Sequence, residues 1–410
     1  MKTQIVCAKC GKPLGSAEPG NVGNFYFADD GRIFCQSCGQ AYAAQRALEA
    51  EAASRRLASA VVLPERSLFD SRIAYTVAYA KAKGASDLHL DEGCGPYIRV
   101  AGELEPLEGE APLRAEELCA FLEEHTEIDP TRFLESNTAA DFSVTMSGIR
   151  LRGNLYKDNG GINIAFRLLT LVSKDFSELG IPQILKRLAE HRSGLILITG
   201  PTGSGKTTTL TSLVDYINHV KREHIITLED PIEFVHRNQN CIISQREIGR
   251  DARSFSDAIT EAMREDPDII LVGEMRDHAS IEAALRAAET GHLVLSTLHT
   301  KGAVNSITRI VDVFPAAQQN QIRTQLGMSL LGVISQQLLP GVVKGTRHLA
   351  TEVLIANEPV RAMIRQNKLH LVASAIQTSL GEGMYTMRTS MERLFREHKI
   401  TKDTFEAYQI

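Results

Sequence analysis

Gly194-Leu195-Ile196-Leu197-Ile198-Thr199-Gly200-Pro201-Thr202-Gly203-Ser204-Gly205-Lys206-Thr207 decides the fold. It opens as a continuous apolar run, the signature of a strand buried on both faces of a parallel sheet. The run passes into GxxxxGK[ST], and residues 208–218 then read as helix. Strand, glycine loop and helix in that order make a phosphate cradle. Glycines let backbone N–H groups wrap phosphate oxygens, and the helix aims its positive end at the anion. Lys206 is placed to bridge the outer phosphates and Thr207 to ligate Mg²⁺. The expected nucleotide-binding set is Gly200, Pro201, Thr202, Gly203, Ser204, Gly205, Lys206, Thr207 and Thr208, with ATP and Mg²⁺ as ligands. An ordinary glycine-rich turn is the bland alternative, and it explains neither the strand before nor the helix after.

Downstream, Ile225-Ile226-Thr227-Leu228 reads as a strand ending in Glu229-Asp230-Pro231-Ile232-Glu233. Asp268-Ile269-Ile270-Leu271-Val272-Gly273-Glu274 reads as another, with Glu274 at its carboxyl end, the edge where ligands collect in such sheets. Glu274 is suited to hold the magnesium shell through water, or else to cap the next helix. One acid of the 229–233 group can polarise an attacking water, since phosphoryl transfer asks mainly for positioning and charge compensation. A fourth strand within residues 290–300 leaves His299 just past its end. Alone, such a histidine is more often a hydrogen-bonded core group; beside the other motifs it reads as a sensor of the γ-phosphate. Strands and helices alternate over about 150 residues, the pattern of a doubly wound α/β domain.

Upstream, residues 65–178 mix helices (67–83 and 115–125) with short strands (87–90 and 96–100), which predicts an α+β domain. Residues 40–64 are rich in Ala, Glu, Arg and Leu, read as a connecting helix, and end at Pro64. Residues 1–39 hold Cys7-Ala8-Lys9-Cys10 and Cys35-Gln36-Ser37-Cys38, two CxxC pairs separated by 24 residues, with an aromatic hairpin at 25–34 between them. Four thiolates in two knuckles suit tetrahedral Zn²⁺, and a metal would hold together a segment too small for a core of its own. A redox pair is the alternative, but no βαβ surrounds either CxxC. Cys94, Cys119 and Cys241 lack ligand spacing and are expected to be packing residues, and residues 391–408 an amphipathic packing helix. The expected domains are therefore 1–39, 40–64, 65–178 and 179–410.

Of the 410 residues, 43% are hydrophobic and 23% charged, and the net charge is -5. That composition excludes disordered and collagenous classes, and the charge disfavours a wholly cationic nucleic-acid binder. No apolar run of about eighteen residues and no signal-like N-terminus occur, so a cytoplasmic protein is expected.

In order and spacing, the glycine loop, the acidic segment 226–233, the segment Gly273-Glu274-Met275-Arg276-Asp277 and the histidine segment resemble the secretion ATPases of type II secretion and type IV pili. Residues 309–323 and Pro359-Val360-Arg361-Ala362-Met363-Ile364-Arg365-Gln366 resemble the PilT-type, twitching-motility branch, and the likeness extends from about residue 67 to the C-terminus. It implies a PAS-like α+β domain followed by a RecA-like domain, closing around ATP in a homo-hexamer. It implies a motor that hydrolyses ATP and pulls on an inner-membrane platform protein, docked at that membrane, to retract the pilus. By the same resemblance Glu229 activates water and Glu274 is the Walker B acid. His292 and His299 form the histidine box, and Arg152 and Arg167 approach the phosphates. Thr260 stands where the family has arginine, and segment 359–366 lacks the family's terminal glutamate.

A pilus-assembly or type II secretion ATPase is the nearest alternative, but those relatives carry a cysteine quartet in the C-terminal domain and this chain has no CxxC after Cys38. A nucleotide-gated scaffold and a nucleic-acid translocase are alternatives of other classes; no direct nucleic-acid contact is expected, whereas the zinc module, resembling a LIM or zinc-ribbon half, is expected to bind protein.

Overall fold

Four short strands accompany the N-terminal cysteines in the computed structural model, which describes residues 4–10, 13–16, 25–27, 33–35, 37–38, 42, 63–136, 139–158, 161–169, 175–343 and 345–408. β1 (Gln4–Val6) pairs antiparallel with β2 (Pro13–Ser16), and β3 (Phe25–Phe27) with β4 (Ile33–Cys35), Phe25 facing Cys35. The second pair is the hairpin expected from the aromatic runs. Its Asp-Gly turn, and the connector helix apart from residues 42, 63 and 64, lie outside the described residues. Phe34 is buried beside Cys7 and stacks on Tyr42, with centroids 4.9 Å apart.

The chain forms two compact units, residues 1–84 and 85–410. The first also contains α1 (Arg72–Ala82), capped by the Ser71 hydroxyl, which accepts from the Ala74 N–H at 3.0 Å. The helix expected from residue 67 therefore begins later, because residues Arg66–Leu68 form a separate 3-10 turn.

The second unit begins with a six-stranded antiparallel sheet. Its strands are β5 (Asp87–Asp91), β6 (Tyr97–Val100), β7 (Glu103–Pro106), β8 (Ala139–Met146), β9 (Ile149–Asp158) and β10 (Gly161–Leu169), in spatial order β7-β6-β5-β10-β9-β8. Alternation sorts the faces. Leu88, Leu90, Leu151, Leu155, Ile164 and Phe166 are buried, and α2 (Ala115–His125) lays Phe121 edge-on against Phe166 at 5.7 Å. The other face carries a polar row in register, Ser143, Arg152, Arg167 and Asp87.

β11 (Gly194–Thr199) opens the second sheet and is buried along its whole length. Leu195 and Leu197 join one apolar cluster, Ile196 and Ile198 another, so helices must cover both faces. The sheet continues with β12 (His224–Glu229), β13 (Ile242–Glu247), β14 (Ile269–Val272), β15 (Leu293–Leu298), β16 (Leu330–Pro340) and β17 (Arg347–Ile355), in the order β13-β12-β14-β15-β11-β16-β17. All pairings are parallel except the β16–β17 hairpin. The architecture is α/β. α3 (Lys206–Val220) covers one face; α4 (Phe255–Ala262), α5 (His278–Glu289) and α6 (Ala303–Asp312) supply the other. α3 starts two residues before the expected position because Gly205, at φ 90°, serves as its N-cap.

The single helix expected over 391–408 is two, α7 (Met387–Arg396) and α8 (Lys402–Ala407). His398 turns left-handed at φ 54° and Thr401 caps a new start, and Phe395 then stacks on Phe405 at 5.6 Å. Among the described residues no helix is long and apolar enough to cross a membrane.

Candidate nucleotide site

The loop between β11 and α3 is shaped by backbone positions only glycine accepts. Gly200 sits at φ 146°, and a Cβ there would lie 2.4 Å from the Gln336 carbonyl oxygen and 2.6 Å from Ser204 Oγ. Lys206 Nζ donates to the carbonyls of Gly200 at 2.9 Å and Pro201 at 3.2 Å. Burial pushes the Lys206 pKa below its ordinary value, and the nearby Glu274 opposes that. The Ser204 hydroxyl is buried with no hydrogen-bond partner, as suits a loop built to receive an anion. Of the expected cradle, Thr202, Gly203, Gly205, Lys206, Thr207 and Thr208 line a cleft of about 740 Å³. Gly200 and Pro201 stand behind it as the Lys206 acceptors, and Ser204 packs against Gly200.

Three strand ends bring the acids and the histidine to that cleft. Glu274 follows β14; its Oε2 lies 3.4 Å from His299 Nε2, and Arg276 pairs with its Oε1. His299 Nδ1 lies 3.4 Å from Thr202 Oγ1, so this ring joins the glycine loop to Glu274. Glu229 ends β12, and its Oε1 accepts from Thr227 Oγ1 at 2.7 Å and Gln245 Nε2 at 3.1 Å. Burial pushes the Glu229 carboxyl above its ordinary pKa, with the Thr227 and Gln245 bonds opposing. The Thr207 hydroxyl and the Glu274 carboxylate are hard oxygen donors of the kind Mg²⁺ takes, alongside water and phosphate.

Arg152 and Arg167 also line the cleft, facing each other across β9 and β10. Like charges so placed repel, and an anion between them relieves the repulsion. Arg167 is steadied by Asp87, 3.2 Å from its Nε. His292 is not among the residues that line the cleft. It precedes β15 while His299 follows it, and six intervening strand residues separate the two by about 20 Å. Its Nδ1 lies 3.0 Å from the Ala287 carbonyl at the end of α5. Thr260 faces neither: its hydroxyl donates to the Ser256 carbonyl at 2.9 Å and accepts from Arg286 at 3.2 Å.

Sequence reasoning missed Gln245, His236, Arg276 and Arg347 as cleft or supporting groups. Arg276 lay inside a quoted motif and was within reach; Gln245 depends on the β12–β13 register, for which no local signal exists.

In the first unit, the sulfurs of Cys7, Cys10, Cys35 and Cys38 all lie within 4.8 Å of one another, with Cys10 and Cys35 at 3.8 Å. A tetrahedron with zinc–sulfur bonds of about 2.3 Å has sulfur–sulfur edges of about 3.8 Å. The donor set and its spacing fit a zinc ion. Of the other cysteines Cys241 is buried as expected, Cys119 is half-buried and Cys94 is exposed.

A family model for "Type II/IV secretion system protein" matches residues 137–397. The type IV pilus retraction ATPase PilT of Pseudomonas aeruginosa is 42% identical over 328 residues, covering 80% of this chain and 95% of that protein. A twitching motility protein of Neisseria gonorrhoeae is 42% identical over 311 residues, covering 76% and 83%. A crystal structure of the pilus retraction motor PilT with bound ADP superposes with a TM-score of 0.76 at 42% identity, covering 83% of this chain and 98% of that one.

Proposed function

The chain belongs to the type II/IV secretion system protein family as an ATPase of the PilT type, and we propose that it is the motor that hydrolyses ATP to retract a type IV pilus. One observation carries the reading: Lys206, Glu274, Glu229 and His299 converge on a single cleft that Arg152 and Arg167 also enter. The glycine loop and Lys206 hold the phosphates. Thr207 directly and Glu274 through water would hold Mg²⁺, which supplies charge neutralisation at the β- and γ-phosphates. Glu229 takes the proton of the attacking water as its oxygen bonds to the γ-phosphorus, and the bond to the bridging oxygen breaks to leave ADP and phosphate. Arg152 and Arg167 stabilise the charge that develops, which ties the step to the position of the antiparallel sheet. His299, between Thr202 and Glu274, relays the state of the γ-phosphate.

The working unit in this proposal is a homo-hexamer on the cytoplasmic face of the inner membrane, acting on the pilus platform protein. Residues 1–39 form a structural zinc module that docks a protein partner, residues 40–64 a connector, 65–178 the PAS-like domain and 179–410 the RecA-like motor. In the source bacterium, deleting the gene should abolish pilus retraction while leaving surface pili, and Glu274→Ala should fail to restore it. Loss of surface pili in the deletion strain would instead assign the chain to assembly.

A further inference from the structure

A buried polar cluster stands beside the cleft and takes no part in the chemistry above. Arg150 lies on β9 two residues from Arg152, on the same face of the sheet. Its guanidinium donates to Glu247 Oε2 at 2.9 Å, to the Ile232 carbonyl at 3.2 Å and to the Ser143 hydroxyl. Glu247, the last residue of β13, also accepts from the Ile232 N–H at 3.1 Å and from Ser143 Oγ at 2.8 Å. The ion pair is nearly dry, its side chains 12% and 10% exposed. Ile232 is thus gripped at both its N–H and its carbonyl, three residues after Glu229 and one before Glu233. The same guanidinium belongs to the strand that presents Arg152 opposite Arg167.

We infer that Arg150 and Glu247 are positioning residues, a buried clamp that fixes the acid-bearing loop to the arginine-bearing strand so that Glu229 and Arg152 reach their working separation together. This rests on the roles given to Glu229 and Arg152 above. Both groups serve one transferring phosphoryl, and a displacement of about 1 Å between them can cost on the order of 100-fold in rate. Two sheets without a direct tie between these groups would not hold that tolerance. A satisfied, water-excluded ion pair does, because its geometry is fixed by several directional bonds at once. Arginine is required for the shape as well as the charge. Its planar fork reaches Glu247 from Nη2 and Ile232 from Nε together, which the single ammonium of lysine cannot do.

The test compares the full-length protein with Arg150→Lys, Glu247→Gln and the double variant, by steady-state ATP hydrolysis, binding of a fluorescent ADP and thermal melting. The expected result is a fall in kcat of about tenfold or more in each single variant, with KM and ADP affinity within about threefold of wild type. The double variant should lose no more than the worse single one, because either change opens the same clamp. Should a variant fail to fold, Ser143→Ala, which leaves the ion pair in place, should lower kcat about threefold at unchanged KM. A kcat per nucleotide-binding site within twofold of wild type, with only a lowered melting temperature, would overturn the inference and leave the cluster a structural tie. If the wild type hydrolyses ATP and Glu229→Gln abolishes this while the clamp variants stay fully active, the clamp fails alone. If the wild type does not hydrolyse ATP, the functional reading and the clamp fall together.

Discussion

Replacing Glu229 by glutamine should abolish hydrolysis and stabilise the protein at the same time. The substitution keeps the shape of the side chain and the oxygen that accepts from Thr227 at 2.7 Å and Gln245 at 3.1 Å. It removes the proton acceptor. Burial holds the Glu229 carboxyl above its ordinary pKa, so the folded chain binds this proton more tightly than the unfolded chain. Its contribution to stability is therefore full below the ordinary carboxylate pKa and is lost as pH rises through the raised value. Above the raised value the ionised group is a cost that glutamine removes, and below the ordinary carboxylate pKa there is no such cost to remove. Positioned acid–base groups contribute about 10²- to 10⁴-fold to rate, equivalent to roughly 3–5 kcal/mol of barrier. Single-turnover hydrolysis should fall by that factor, with ADP affinity unchanged. Calorimetry should show a higher melting temperature at pH 7.5 and none of that gain at pH 4. Hydrolysis within threefold of wild type, or a loss of activity that tracks a lowered melting temperature, would refute the reasoning.

Gly200→Ala would place a methyl 2.4 Å from the Gln336 carbonyl at a φ that alanine disfavours; denaturant titration should show a loss of about 1–3 kcal/mol, and nucleotide binding should go with it. Burial pushes the His236 pKa down to about 4, with Asp215 opposing, so the folded chain holds this ring neutral where the unfolded chain protonates it. Stability should then fall as pH drops from about 6.5 to about 4, by roughly 3 kcal/mol from this group, and His236→Phe should flatten that slope. A chromophoric chelator should release one zinc per chain from Cys7, Cys10, Cys35 and Cys38 while ATP turnover stays within about twofold, since the residues lining the cleft all fall between Arg152 and Arg347. Zinc-free protein with an intact N-terminal module would count against the metal.

Local pattern was enough wherever one element carried the information. β11 announces burial on both faces because its successive apolar residues alternate between two clusters, Leu195 and Leu197 in one and Ile196 and Ile198 in the other, and the glycine loop follows from positions whose φ excludes side chains. Glu274 and His299 were legible because strand ends in a parallel sheet share one edge. His292 stands apart from the cleft for the converse reason: nearness in sequence to His299 conceals a full strand length between them. The support for Glu229 from Gln245, and the Arg150–Glu247 contact across 97 residues, depend on pairings that no local periodicity encodes. The break between α7 and α8 hangs on His398 adopting a left-handed backbone, which the charged pattern on either side does not reveal.

Steady-state ATP turnover by the intact protein, set beside Glu274→Ala, tests the central claim most directly. The account predicts magnesium-dependent hydrolysis in the wild type and none above background in the variant, with nucleotide still bound by Lys206 and the glycine loop. An intact protein that binds ATP yet turns over no faster than Glu274→Ala would contradict it and make the cleft a nucleotide-gated switch.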